Sequence, residues 1–207
     1  MKSALAPALF LLAGCGPAQP KLVAPQAEDP GVLRPPAELH PDFSVHQHIQ
    51  ASSRGHTGSF DAVVQKQGDK LVVVGLGPAS VRMFVLEQTA KGITFEQSFG
   101  PTLPFPPRNI VVDVHRAFFK GLPPDPVGGT RTGTVDGEEV REIWQGENLA
   151  ERRFLRADRK DPITVTYGPG CTRARCAPTR IVLVNPWFDY ELVLENDSYE
   201  FFAEPPP

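Results

Sequence analysis

Short runs of apolar residues that alternate with polar ones, or that are rich in β-branched residues, recur along the chain from residue 43 onward. The clearest are 70–76 (KLVVVGL) and 163–167 (ITVTY), each bounded by glycine, proline or aspartate. A period of two residues places alternate side chains on opposite faces of a β-strand. Because turn residues separate neighbouring runs, the pattern predicts an antiparallel meander of short strands.

Further runs of the same kind bring the expected number to about nine to eleven strands. They are 44–54, 59–66, 81–88, 93–99, 139–145, 150–157, 179–185 and 189–195. One antiparallel sheet of that size has to curl or close, because each strand twists relative to its neighbour. We therefore predict a mainly β (α+β) protein, in which a curled antiparallel sheet or half-barrel is covered by one or more helices.

Residues 108–120 interrupt the strand pattern with a helical one. Asn109 is placed to cap this helix, and Gly121 with Pro123 is expected to end it. The following Gly/Pro-rich segment, 121–137, is expected to be a mobile loop. Two faces recur with helical spacing: Ile110, Val111, Val114, Ala117 and Phe118 on one, and Asp113, Arg116 and Lys120 on the other. The sequence thus predicts an amphipathic helix that covers the sheet.

The first residues of the chain predict export. Lys2 precedes a short apolar stretch that is too short to span a bilayer and is typical of a secretory signal. It ends in LAGC at Cys15, which matches the lipobox of bacterial lipoproteins. In that class the cysteine thiol receives a diacylglycerol and the peptide before it, here 1–14, is removed. An ordinary secretory signal with a chance cysteine is the alternative.

Residues 15–41 contain seven prolines and few large apolar residues. Such a segment has little to bury, so we expect a tether between the lipidated Cys15 and a single β-rich domain over 42–203. Gly16 follows the cysteine, whereas Asp at this position retains lipoproteins of enteric bacteria at the inner membrane. The expected location is therefore the outer membrane, facing the periplasm.

Two cysteines remain after lipidation, Cys171 and Cys176, and they flank the short segment TRAR. An even number of cysteines in an exported protein predicts a disulfide. A metal site would need further ligands at suitable spacing, and a redox site usually has the spacing Cys-x-x-Cys. A structural disulfide is therefore favoured over both.

The charges and motifs support neither nucleic-acid binding nor catalysis. Lys and Arg number 21 against 24 Asp and Glu, which argues against nucleic-acid binding. We find no catalytic signature and expect neither a cofactor nor a metal. His46 and His48 would share a strand face, but solvated histidines are favoured over metal ligands. The basic run Arg152, Arg153, Arg156, Arg159 and Lys160 would suit anionic headgroups, although a solvated sheet edge is favoured.

Several segments resemble an uncharacterised family of bacterial lipoproteins related to the LolA/LolB-like lipoprotein-localisation fold. The resemblance spans about 44–200 and is carried by 60–64 (FDAVV), 71–76 (LVVVGL), 82–84 (RMF) and 110–114 (IVVDV). It implies a half-barrel that shelters acyl chains of lipids or lipoproteins in an apolar cavity between sheet and helix. The implied role is in biogenesis of the cell envelope, with the membrane contacted through the lipid anchor.

Large apolar residues on the inward faces are candidates for the lining of such a cavity. They are Phe84, Phe95, Phe118, Trp144, Tyr190 and Leu192. The same residues would equally fill a dry core. The alternative function is therefore a structural or protein-interaction lipoprotein without a lipid cavity, which binds other envelope proteins. A solid core with an exposed apolar patch in 121–137 would favour that alternative.

Overall fold

The computed structural model describes residues 27–100, 106–123 and 128–202. Within these ranges one antiparallel sheet has eleven strands. They are β1 (Phe43–Ser53), β2 (His56–Gln67), β3 (Lys70–Leu76), β4 (Arg82–Thr89), β5 (Gly92–Gln97), β6 (Gly129–Val135), β7 (Glu138–Gln145), β8 (Asn148–Leu155), β9 (Ile163–Tyr167), β10 (Arg180–Asn185) and β11 (Tyr190–Phe201). The prediction of a curled antiparallel sheet with a helix is confirmed.

The sheet consists of two meanders joined at their first and last strands. Its order is β5-β4-β3-β2-β1-β11-β10-β9-β8-β7-β6, so β5 and β6 are the open edges. At the junction, Phe43 lies opposite Phe201 and Ser53 lies opposite Tyr190. A β-bulge interrupts this pairing between His46 and Gln47.

The predicted helix is present as α1 (Pro107–Val114), which continues into a π-helical turn over His115–Phe119. Pro107 takes the first helical position, where its missing N–H would have no partner in any case. The prediction that Asn109 caps the helix is wrong. The capping position is Pro106, and the Asn109 side chain instead accepts a hydrogen bond from the backbone N–H of Asp29 at 2.8 Å.

The helix packs against both meanders and divides the core into two clusters. The Phe118 side chain contacts both clusters, and its ring lies 5.2 Å from that of Phe43. Val111 and Val112 are fully buried. The helix therefore covers the concave side of the sheet, as its apolar face predicted.

The expected mobile loop over 121–137 is wrong for residues 129–135, which form the edge strand β6. This strand pairs with β7 alone, so one of its backbone edges is unpaired. Its sequence, GTRTGTV, has no alternation of apolar and polar residues, and of its seven residues only Val135 is buried. Leu122 covers Gly133, where a Cβ atom would lie 2.7 Å from Leu122 Cδ2.

Candidate functional site

A cavity of about 310 Å³ lies between helix α1 and the concave face of the sheet. Strands β1 to β4 form one side of it and strands β10 and β11 form the other. The lining is apolar nearly throughout. Its large apolar residues are Ile49, Phe60, Val64, Val73, Met83, Phe84, Ile110, Val114, Phe118, Leu183, Leu192 and Leu194.

The cavity opens at the end of the sheet formed by the β1–β2 hairpin and the end of β5. Gly58, Ser59 and Gln97 line this mouth and are exposed. Phe99 lies beside them with 42% of its surface exposed. Val64 and Val73, by contrast, are buried in the lining. Among the described residues, the exposed lining of this apolar pocket therefore lies at one end of it.

The structure places four of the six expected lining residues, Phe84, Phe118, Tyr190 and Leu192, around this cavity. The Phe95 ring packs against Phe84 in a tilted arrangement, with ring centroids 5.8 Å apart, and lines a separate groove.

Trp144 does not line the cavity either. Its indole N–H donates to Glu142 at 3.0 Å, and the Arg173 guanidinium lies 5.3 Å from its ring. Phe95 belongs to the edge strand β5, and Trp144 belongs to β7, which lies next to the edge strand β6. Burial alone could not distinguish them from the lining residues.

Asp113 is the one carboxyl group that the described residues contribute to the lining. Its Oδ2 accepts a short hydrogen bond from the Tyr190 hydroxyl, which in turn accepts one from the Asn185 amide at 2.9 Å. Burial raises the pKa of Asp113 to about 6, although the positive charge of Arg116 and the Tyr190 hydrogen bond oppose this rise. Burial also raises the pKa of Tyr190. The hydrogen-bonded side chains of Asp113, Tyr190 and Asn185 therefore border the apolar pocket, and all three are buried.

Arg116 is fully buried on the helix and joins three carboxylates. Its guanidinium donates to both Asp29 oxygens at 2.6 and 3.0 Å and to Glu138 at 2.5 Å. A longer contact of 3.4 Å reaches Asp113. Burial disfavours the charged guanidinium, but the carboxylates outweigh this effect and raise its pKa. The charged face of the helix is thus as buried as the apolar face.

Lys120 and His115 extend the buried polar layer. Lys120 donates to Glu138 at 3.1 Å, while burial lowers its pKa. His115 shares a 2.8 Å hydrogen bond with Gln88, and burial together with the charge of Lys120 lowers its pKa to about 3. The imidazole is therefore neutral at ordinary pH.

Residues 27–41, which we call the strap, pack on the domain rather than extending away from it as the tether prediction implied. Asp29 and Leu39 are buried. Arg108 donates to the backbone carbonyls of Asp29 at 3.2 Å and Gly31 at 2.6 Å. At Gly31 the backbone comes so close to the helix that a Cβ atom would lie 2.6 Å from Val112 Cγ1. The strap therefore lies across helix α1.

Cys171 and Cys176 form a disulfide. No cluster of three or more metal-ligating side chains occurs in the described part of the chain. His46 and His48 lie on the outer face and contact Asp197 at 3.0 Å and Asp61 at 2.8 Å.

The expectation that Arg152 belongs to a solvated edge is wrong. Arg152 is buried and donates to Glu142 and to the Tyr167 hydroxyl, each at 3.0 Å. Tyr167 in turn donates to the Ala117 carbonyl at 2.9 Å. These contacts tie the π-helical turn to strands β7, β8 and β9, and the pattern of a basic run gave no sign of them.

The predicted signal peptide, 1–14, and Cys15 lie outside the described residues. Across the ranges that are described, no helix has the length and apolar character needed to cross a membrane. The large apolar side chains exposed there are Val32, Val81, Phe99 and Val184. None of them belongs to the described part of 121–137, where the alternative function would place an apolar patch.

Three solved structures resemble this chain at low sequence identity. A LolA superfamily protein from Nitrosomonas europaea is 14% identical with a TM-score of 0.46, over 82% of this chain and 91% of its own. A protein domain from Vibrio parahaemolyticus named for outer membrane lipoprotein sorting is 10% identical with a TM-score of 0.42. The match covers 80% of this chain and 87% of that domain. A DUF1329 family protein from Desulfovibrio piger is 10% identical with a TM-score of 0.38, and the match covers 80% of this chain and 87% of that protein.

No curated protein matches the sequence. The family described as a protein of unknown function, DUF3261, matches residues 44–198. That range covers nearly all of the sheet and the whole of the helix. It also agrees with the segments in which the sequence resembled an uncharacterised family. The chain belongs to the DUF3261 family.

Proposed function

We propose that the protein binds one acyl chain of a lipid, or of a lipid-modified protein, in the cavity between helix α1 and the sheet. The observation that carries the proposal is the apolar cavity of about 310 Å³, whose exposed lining among the described residues lies at one end. Burial of an acyl chain there is favourable by about 0.8 kcal/mol for each methylene removed from water. The polar head would remain at the mouth, beside Ser59 and Gln97.

The size of the cavity favours one chain over several. An apolar cavity of about 150 Å³ holds a single benzene molecule. A cavity of about 310 Å³ then suits roughly a dozen carbon atoms. This corresponds to one medium-length acyl chain, so a ligand with more chains would leave the others outside.

We propose that the protein acts at the cell envelope, anchored through lipid on Cys15 after removal of residues 1–14. A single acyl chain gives only marginal membrane attachment, whereas a cysteine that carries several chains would hold the protein firmly. The cavity residues perform no covalent chemistry in this proposal. The protein serves as a carrier or acceptor of acyl chains, in keeping with the expected role in envelope biogenesis.

Native mass spectrometry of the exported protein tests this function. The sample carries Cys15→Ser behind a cleavable signal and retains residues 15–207, because Asp29 in the strap pairs with Arg116. We expect a co-purifying lipid mass, or a lipid adduct after incubation with envelope lipids. A ligand-free mass that does not change after such incubation would refute acyl-chain binding.

A matched pair of variants locates the ligand. Leu192→Gln places an amide in the cavity wall, whereas Val184→Gln alters an apolar residue that is 38% exposed and does not line the cavity. We expect the lipid adduct to be lost in the first variant and retained in the second, with both folded by circular dichroism. Equal retention in both variants would place the lipid elsewhere.

A further inference from the structure

Gln47 is a fully buried amide in the cavity lining, with 0% of its surface exposed. It lies on β1, two residues before Ile49 and four before Ala51, which also line the cavity. Exposure increases along this series toward the mouth at Gly58, which pairs with Ala51. Strand geometry separates Gln47 from Ala51 by about 13 Å. On β1, Gln47 is therefore the lining residue farthest from the mouth at Gly58.

A chain of hydrogen bonds fixes which way the Gln47 amide faces. Asn196 on β11 donates from Nδ2 to the carbonyl of Pro178 at 2.6 Å and to the Tyr199 hydroxyl at 3.0 Å. Since a carbonyl can only accept, these contacts assign Nδ2, and Asn196 Oδ1 must face Gln47. The 2.6 Å contact with Gln47 therefore comes from Nε2 of Gln47 as the donor.

The Gln47 carbonyl oxygen, Oε1, is consequently an acceptor with no hydrogen-bond partner among the described residues. Buried side-chain oxygens normally have such a partner, so one without a partner calls for a donor from outside the chain. Asp113, the carboxyl group found in the described lining, is likewise an acceptor, toward Tyr190 and Arg116. A ligand carboxylate or phosphate would be repelled there, which keeps an anionic head at the mouth.

We infer that the cavity selects acyl chains that carry a hydroxyl group at their buried end, with that hydroxyl donating to Gln47 Oε1. The inference rests on the proposed function and specifies its ligand class. A chain without the hydroxyl leaves Oε1 unpaired. In a purely apolar cavity the order of affinity would reverse, because a buried hydroxyl without a partner is unfavourable.

Three probes of equal length test this selection on the exported protein: dodecanoate, ω-hydroxydodecanoate and α-hydroxydodecanoate. Affinities are measured by isothermal titration calorimetry. We expect the ω-hydroxy chain to bind about tenfold more tightly than dodecanoate, because this ratio corresponds to the net free energy of one hydrogen bond. The α-hydroxy chain should bind like dodecanoate, since its hydroxyl stays at the mouth.

Gln47→Met removes the acceptor and retains the length of the side chain. We expect the ω-hydroxy preference to disappear or reverse in this variant, while dodecanoate still binds. Gln50→Met on the exposed face of the same strand is the control and should keep the preference. Because Gln47→Met also removes the bond to Asn196, its folding is checked by thermal melting. The comparison of the three probes on the wild-type protein does not depend on this variant.

The outcomes separate the two proposals. If the wild-type protein binds dodecanoate and the ω-hydroxy chain equally, hydroxyl selection is refuted and acyl-chain binding stands. Tighter binding of the α-hydroxy chain, or a preference that persists in Gln47→Met, also refutes it. If the wild-type protein binds none of the three probes, the proposed function itself fails.

Discussion

Asp29 and Arg116 are 87 positions apart in sequence, yet both oxygens of the Asp29 carboxylate accept hydrogen bonds from the Arg116 guanidinium. Neither side chain is accessible to solvent. The pair joins the strap to the helix that covers the cavity. Arg116 also contacts Glu138 of β7, so one cation links three separate parts of the chain.

Arg116→Met should strongly destabilise the protein, because it leaves the buried carboxylates of Asp29 and Glu138 without their main cation. Breaking a buried ion pair from one side typically costs about 3–5 kcal/mol. Urea unfolding followed by circular dichroism measures the loss. Arg82→Met is the control, since Arg82 is 54% exposed in its pair with Glu96, and its loss should be about 1 kcal/mol or less. Similar losses in both variants would contradict a structural role for the buried pair.

Asp113→Asn should change how stability depends on pH. In the folded protein the Asp113 pKa lies near 6 instead of 3.8. The folded state therefore holds a proton that the unfolded chain releases, and this residue makes stability fall as pH rises through that window. The full effect is on the order of 3 kcal/mol.

We expect the free energy of unfolding of Asp113→Asn, relative to wild type, to increase across the same window of pH. His115, whose pKa is lowered, acts in the opposite direction as pH falls. Its contribution is common to both proteins and cancels in the difference. Parallel pH profiles for the two proteins would show that Asp113 titrates normally.

Gly75→Ala should destabilise the fold and narrow the cavity. A Cβ atom at Gly75 would lie 2.2 Å from Cε1 of Phe84, its partner on β4, so the ring has to shift. Overpacking of this kind costs about 1–3 kcal/mol. Gly58→Ala is the control, because nothing lies within 4 Å of its Cβ position. Thermal melting should separate the two variants, and equal melting temperatures would contradict the close contact.

The disulfide should survive purification and contribute to stability. Reduction should add the mass of two hydrogen atoms to the intact protein if Cys171 and Cys176 are paired. Replacing both cysteines by serine should lower the free energy of unfolding by about 2 kcal/mol, as expected for a loop this short. An unchanged mass after treatment with reductant would show that the two thiols are free in solution.

Most of the sheet and the helix could be predicted because most strands, and the helix, carry their own periodicity of apolar residues. Strand β6 could not, since an edge strand with exposed threonines has no apolar alternation. The partners of Arg116 were equally invisible to local patterns. Asp29 lies in a proline-rich segment that resembles a spacer, and Glu138 is the first residue of β7, in the meander of β6 to β11. Only the folded chain brings these charges together.

The pairing of β1 with β11 also determines when the cavity can exist. Hairpins within each meander form between neighbours in sequence, and such local contacts are fast. Ile49 and Leu192 line opposite sides of the β1–β11 seam and meet only after the last strand has left the ribosome and found the first. A chain interrupted before residue 190 would complete ten strands and still have no pocket. Formation of the pocket therefore requires β11 to be synthesised and paired with β1.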